Sequence, residues 1–446
     1  MTRAYTARRF PVLPGRAAWN AILGPTPEYP SLDQNKTADV VIIGAGFAGL
    51  SAARRLLQLD PVLRITVLDA FQIAESSAGR NSGFMIDLPH DLTSDDYSGA
   101  GDDKAVIRLN RQAIAFGAAA VEEYGINPAF FDRSGKVNGA VSDEAVHHNE
   151  TYARHLHSLG EPSTLLDARQ MHELTGSRHY QAGLFTSGTV TLQPAGYIRG
   201  LAAGVAPQVN LHCQSPVIRF EKQGLGWRVL TPKAHVDCSK IILANNGQLE
   251  SFGIAKGRLM QVFLYASMTP DLSADTLREL GGQPRWGITP SDPMGTTMRR
   301  IDSAQGGNRI VTRTCSSLLP DMRPTAKHVA RAARIQRRKF DQRFPQLAGM
   351  KMEYEWAGHL CLTLNGVTYT HEVERGVYTA CAQNGLGTAR GTLTGIAAAE
   401  LAMGQPSEIA EHFNNEPRPT RLPPRPLREI GANAIMRWKE WKARDE

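Results

Sequence analysis

The stretch ADVVIIGAGFAGLSAARRL, Ala38 to Leu56, constrains this 446-residue chain more than any other. A nearly unbroken β-branched run, the mark of a strand buried on both faces, leads into three glycines. A segment with helical spacing follows, Leu50, Ala53, Leu56 and Leu57 sharing one side. Gly44, Gly46 and Gly49 therefore fit GxGxxG in the strand-turn-helix setting that the motif needs to hold a pyrophosphate. The first glycine permits the tight turn, the second lets phosphate approach the backbone, and the third lets helix and strand pack closely. Ala45, Phe47 and Ala48 supply the remaining backbone of the turn, where a helix N-terminus offers unpaired N–H groups. A second buried strand, LRITVLDA, ends on Asp69 and Ala70, which places a carboxylate to accept from ribose hydroxyls.

The rest of the chain predicts an α/β fold, α+β overall. Residues 1–36 read as an extended arm, since Pro11, Pro14, Pro25, Pro27 and Pro30 oppose regular structure. Apolar strands recur far downstream in CSKIILANNG (Cys238 to Gly247) and GVYTACAQNG (Gly376 to Gly385). LGWRVLT, LMQVFLYASMT and TTMRRI alternate in polarity instead, as strands of a mostly antiparallel sheet do. The expectation is a discontinuous Rossmann-like nucleotide domain (37–90, 190–250 and 356–404) with a substrate or cap domain (91–189 and 251–355) inserted. Helices are expected at 104–124, 143–159, 325–343 and in GTLTGIAAAELAMG. The tail, 405–446, runs through prolines into an amphipathic helix whose Ile430, Ile435, Trp438 and Trp441 are expected to pack on the protein, a membrane-contact helix being the alternative.

Composition narrows the partners. The formal charge of +7 is spread along the chain with no recognition motif, which favours anionic small molecules over nucleic acid. The five cysteines are far apart and never form CxxC, so neither a zinc site nor a disulfide framework is expected, and no metal. No secretory signal and no apolar run of about 18 residues occur, so no transmembrane segment and a cytoplasmic location are expected.

Two further stretches lengthen the ligand. AESSAGRNSGF, Ala74 to Phe84, is small and flexible enough for a second backbone segment to approach a bound molecule. NGLGTARGTLTG, Asn384 to Gly395, follows an apolar strand, and Gly385, Leu386, Gly387 and Thr388 would aim backbone and hydroxyl donors at an extended ligand. A ligand that reaches from the pyrophosphate turn to a second turn near the C-terminus is expected to carry a flavin ring.

Together these motifs resemble FAD-dependent oxidoreductases of the D-amino acid oxidase and glycine oxidase superfamily, in particular the gamma-glutamylputrescine oxidase-like branch. Trp19 with Pro25, Pro27 and Pro30 in the arm, the segment Ser77, Ala78, Gly79, Arg80, Asn81, Ser82 and Gly83, and LQPAGYIRGLA, FPQLAGMKMEYEWAGH and the GLG turn carry the likeness. The resemblance implies an FAD-binding domain of glutathione-reductase type. It implies that Gly44, Gly46, Gly49 and Asp69 hold the ADP half of FAD and that Arg80, Asn81, Ser82 and Gly83 lie beside the isoalloxazine. Val217 would meet the adenine, Asn246 and Gly247 would line the cofactor, and Gly385, Gly387 and Thr388 would close over the flavin. It implies non-covalent FAD, because Arg80 and Asn81 stand where some relatives carry a flavin-linking histidine; Cys315 stays open as an attachment point.

On the substrate side, relatives often carry an arginine in a WGGR-like segment where this chain has Trp356, Ala357, Gly358 and His359. His359 is a candidate for binding an amine or tuning its protonation. Arg299 and Arg300 of TTMRRI must face opposite sides of a strand, so one is expected to face the flavin cavity. Tyr265 is a candidate wall of it. The implied reaction is oxidation of the C–N bond of an amine or amino acid by hydride transfer to flavin, imine hydrolysis and reoxidation by oxygen to hydrogen peroxide. A dehydrogenase subunit with another acceptor, an NAD(P)H-dependent monooxygenase and an RNA-modifying flavoprotein are the competing readings. An oligomer is possible on any of them.

Overall fold

The computed structural model describes residues 3–13, 15–89, 101–292 and 294–446. Pro14 and the domain boundary expected at residue 90 lie outside them.

A nine-stranded sheet forms around the strand Lys36–Ile43. Its Val40, Val41, Ile42 and Ile43 are all buried, and it runs parallel to Ile65–Leu68 on one side and His235–Leu243 on the other. Asn210–His212 extends the parallel part beyond Ile65–Leu68, and Val377–Thr379 runs parallel to the end of His235–Leu243. The hairpin of Arg219–Gln223 and Gly226–Leu230 pairs antiparallel with the start of the same strand. GWRVL thus belongs to this sheet and not to the antiparallel sheet in which its alternation placed it. It is an edge extension with Trp227 and Val229 turned inward and Arg228 outward.

The arm is more ordered than its prolines suggested. Ala4–Thr6 adds a further strand against Arg219–Glu221, and Ala18–Ala21 forms a helical turn. The strand precedes the first proline, Pro11, and the helical turn lies between Pro14 and Pro25. Trp19 is fully buried and donates its indole N–H to the Asn81 carbonyl at 2.9 Å.

The helices Phe47–Leu59 and Ala389–Met403 pack against each other with no room for side chains at the crossing. A Cβ on Gly395 would lie 2.2 Å from the Ala48 carbonyl oxygen, and one on Gly391 would lie 3.1 Å from the Phe47 Cβ. That contact sets the two helix N-termini side by side.

The second sheet has eight strands in the order Tyr354–Leu362, Met260–Met268, Arg309–Leu318, Thr297–Ile301, Trp286–Pro290, Lys136–Ala140, Ala182–Thr186 and Thr164–Asp167. Every pairing is antiparallel except that of Trp286–Pro290 with Lys136–Ala140. The boundary expected at residue 356 falls inside Tyr354–Leu362, whose whole length pairs in this sheet. The expected helices occur as Asp103–Glu123, Asp143–Leu159 and Ala326–Arg343, the first two started by side-chain caps from Asp102 and Ser142.

The last helix, Leu427–Lys442, reverses the expectation. Ile430, Ile435, Trp438 and Trp441 are exposed, and the polar side docks. Thr297–Ile301 covers only Arg309–Arg313 of the strand Arg309–Leu318, so the end of that strand presents edge N–H groups that need acceptors. Asn433 takes the Leu318 N–H at 3.1 Å and Glu440 takes the Ser316 N–H at 2.9 Å.

Candidate functional site

A cavity of about 320 Å³ opens where the two helix N-termini meet the edge of the eight-stranded sheet. Its wall includes Gly44, Gly46, Phe47, Ala48, Asp69 and Ala70 at one end and Arg313, Trp356 and His359 at the other. Neither helix start carries a side-chain cap or an acidic residue in its first turn, so both offer free N–H groups and positive dipole ends to the same space.

The glycines separate into those the protein needs and those it does not. A Cβ on Gly49 would sit 1.7 Å from the Gly44 carbonyl oxygen, and one on Gly44, at φ +112°, would meet the Ala244 carbonyl at 2.6 Å. These two make the turn. Gly46 is different: its Cβ would find only the Ala78 methyl, at 3.5 Å, and on Gly387 nothing within 4 Å. No protein atom forbids a side chain at either place, yet both line the cavity, which is the pattern of backbone left bare for a ligand. Asp69 accepts the Ala45 N–H at 2.7 Å and the Phe71 N–H at 2.9 Å. Burial still pushes its carboxyl above the ordinary value. An elongated dinucleotide with a ring system fits this donor set: a carboxylate for ribose, bare glycines and helix starts for phosphates, and a second bare turn beyond. Val217, Ser77, Asn81, Ser82, Asn246 and Gly385 also line the cavity.

Other predicted residues hold the wall from behind. Ala45 acts through its N–H to Asp69, and Leu386 is absent from the lining. Gly79 presses on the Ala74 carbonyl, and Gly83, at φ +78°, lies against the Arg299 guanidinium. Gly247 leaves space for Gln261 and His359, its Cβ lying 2.6 Å from His359 Cε1 if it had one. The Thr388 hydroxyl does not point at a ligand; it donates to the Phe84 carbonyl at 2.6 Å and ties the C-terminal turn to the 77–83 loop. Arg80 lines the cavity while its guanidinium is bonded to the carbonyls of Glu75, Ala357 and Gly15. Burial lowers its pKa to about 10.

The two arginines expected to compete for the cavity both lie off it. Arg299 is 2% exposed, donates to the carbonyls of Ser82 and Leu192, and stacks over Trp19. Arg300, on the other face, donates to the Gly281 carbonyl. Their strand is two removed from Met260–Met268, which carries the cavity wall, so neither reaches it. Cys315 is buried among Phe263, Tyr265 and Ala357 and is not part of the cavity lining. Tyr265 does line it, with burial raising its phenol above the ordinary value.

Arg9, bonded to the Pro320 carbonyl and Glu250, also lines the cavity, and so does Arg313, on the intervening strand and in register with Ala266. Among the described residues its guanidinium makes no hydrogen bond or ion pair. Burial lowers its pKa to about 10, which leaves it charged at neutral pH. The sequence carried a signal for it: an arginine in the middle of IVTRTCSSL, a run otherwise apolar or hydroxylic.

His359 lines the same space, and burial holds its pKa down at about 4, so the ring is neutral. Its Nε2 lies 2.9 Å from Gln261 Oε1. The Gln261 amide nitrogen donates to the Gly247 carbonyl and to Glu250, each at 3.2 Å, which turns its oxygen toward the ring. Nε2 must therefore carry the proton, and Nδ1 keeps its lone pair.

A family model described as FAD dependent oxidoreductase (DAO) matches residues 39–401. The probable oxidoreductase OrdL of Haemophilus influenzae is 26% identical over 394 residues, 86% of this chain and 87% of that protein. The gamma-glutamylputrescine oxidoreductase of Escherichia coli is 24% identical over 422 residues, 87% and 89% of the two chains. Among solved structures, glycine oxidase from Geobacillus kaustophilus superposes with a TM-score of 0.71 at 16% identity, over 86% of this chain and all (100%) of that one. The L-amino acid deaminase of Proteus vulgaris gives 0.68 at 14% identity, over 87% and 99%.

Proposed function

The chain belongs to the DAO family of FAD-dependent oxidoreductases, an enzyme of the amine and amino-acid oxidising type, and from that premise we propose that its substrate is an amine that also carries a carboxylate. The observation that carries this reading is the unpartnered guanidinium of Arg313 on the cavity wall. A largely desolvated cation without a counter-ion is costly, and a substrate carboxylate held bidentately would relieve that cost on binding.

The cofactor-holding residues in this reading are Gly44, Gly46, Asp69, Val217, Gly385 and Gly387, with the starts of Phe47–Leu59 and Ala389–Met403 toward the phosphates. When bound, FAD supplies the two-electron acceptor for a hydride equivalent from the carbon that bears nitrogen. The protein's part is placement and desolvation. Arg313 fixes the carboxylate end. The Nδ1 of His359, unprotonated because Gln261 holds the proton on Nε2, accepts a hydrogen bond from the amine, and a ring that resists protonation selects the neutral amine. Trp356 and Tyr265 exclude water from the space between. Hydrolysis of the imine then gives carbonyl and amine, and oxygen is the proposed final acceptor, giving hydrogen peroxide.

The test is a panel of paired amines, each with a free carboxylate and with the same group esterified, scored by anaerobic bleaching of the flavin. Loss of bleaching on esterification in wild type, and no difference between the pair in Arg313→Ala, is the expected result. Equal rates for both members in wild type would remove the reading.

A further inference from the structure

We propose that the C-terminal helix Leu427–Lys442 is an interfacial anchor that lays its outer face on an anionic phospholipid surface. The helix is inside out for a soluble protein. Leu427, Ile430, Ile435, Trp438 and Trp441 are between 56% and 67% exposed, and they share the side of the helix opposite the docked Asn433 and Glu440.

Charge sorts the same way. Glu440 is turned inward, its side chain 9% exposed against Arg331 and Arg437, and Glu429 is held by Arg425 and Arg428. Glu446 is buried against Ser142 and the Val141 N–H. Lys439 flanks the apolar face on the outside; Lys442 beside it is paired with Glu144 at 2.7 Å, and the Arg444 guanidinium lies 4.7 Å from the Trp441 ring and 3.7 Å from Asp445. The helix's own carboxylates, Glu429 and Glu440, inward with Lys439, indoles and aliphatics outward is the arrangement that suits an acidic headgroup layer above acyl chains. It is not the arrangement of an apolar dimer seam, whose centre is depleted of charge. No helix among the described residues is long and apolar enough to cross a membrane, so the contact is with the surface.

The full-length holoenzyme is mixed with vesicles of phosphatidylcholine alone or with phosphatidylglycerol added, and binding is read by co-sedimentation. Of the chain's six tryptophans, Trp19, Trp227, Trp286 and Trp356 are buried, so brominated lipid can quench only Trp438 and Trp441. The expected result is binding and quenching with the anionic vesicles only, falling as salt rises. Lys439→Gln should weaken it about fivefold, the worth of one cation at such a surface. Trp438→Gln with Trp441→Gln should abolish it, while flavin content and turnover of soluble substrate stay as in wild type. Absence of binding to anionic vesicles at low salt would overturn the proposal. So would undiminished binding by the double variant, or light scattering showing a dimer in wild type that the double variant dissociates.

Discussion

The Gln261 side chain fixes the proton of His359: its amide oxygen lies 2.9 Å from the ring Nε2, and its amide nitrogen is occupied by Gly247 and Glu250. The neutral imidazole, with its proton on Nε2, keeps Nδ1 as a hydrogen-bond acceptor on the cavity wall. Gln261→Leu removes the restraint without changing the cavity charge. We expect kcat/KM to fall by about tenfold to a hundredfold, in line with loss of an outer hydrogen bond to a functional histidine, with FAD content preserved. Steady-state kinetics against flavin absorbance checks it.

The depressed pKa of His359 makes a claim about stability. Its value of about 4 lies below the ordinary 6.5, so between those pH values the unfolded chain binds the extra proton. Stability is therefore complete above about pH 6.5 and is lost as pH falls toward 4. His179 and His371 are held down by burial in the same way and add to the slope. Thermal midpoints of wild type and His359→Gln, measured from pH 7 to pH 4.5, should converge as the pH falls. Parallel curves would show that His359 titrates normally.

Arg313 and Arg299 predict opposite phenotypes. Arg313→Ala removes no hydrogen bond or ion pair among the described residues, so the thermal midpoint should hold while KM for a carboxylate-bearing amine rises by about a hundredfold, the worth of a charged bidentate contact near 3 kcal/mol. Arg299→Met strips donors from the Ser82 and Leu192 carbonyls and a cation from over Trp19. It should cost about 2–4 kcal/mol of stability, read by urea denaturation, and loosen FAD because the 77–83 loop sits on it.

The glycines give a third contrast. Gly46→Ala and Gly387→Ala place methyls where the protein leaves space, so both variants should fold as apoproteins and bind FAD at least about tenfold more weakly. Gly49→Ala puts a methyl 1.7 Å from the Gly44 carbonyl and should fail to fold. Equilibrium FAD titration with circular dichroism separates the two kinds of failure.

These contrasts mark what could be read from the sequence. The pyrophosphate turn was legible because strand, glycines and helix are contiguous, and local chemistry dictates each. The NGLG turn was legible as a second bare stretch of backbone, and it lines the same cavity. The role of Thr388 was not, since its acceptor, Phe84, is 304 residues away. Arg299 and Arg300 drew attention as an adjacent pair, but strand order decides which arginine meets the cavity, and strand order is not written in any short segment. Arg313, one strand over, was visible only as a charge in an apolar run. The last helix was found in place with its faces reversed, because nothing local announces that Ser316 and Leu318 present unpaired N–H groups to it.

The central claim is that the chain oxidises a carboxylate-bearing amine held by Arg313 against bound FAD. Anaerobic bleaching of the purified flavoprotein, with one amine offered as free acid and as methyl ester to wild type and Arg313→Ala, tests it most directly. The account predicts rapid bleaching only for the free acid with wild type, and slow, equal bleaching of both forms with the variant. Bleaching by NADPH and by neither form of the amine, or equal rates for acid and ester with wild type, would contradict it.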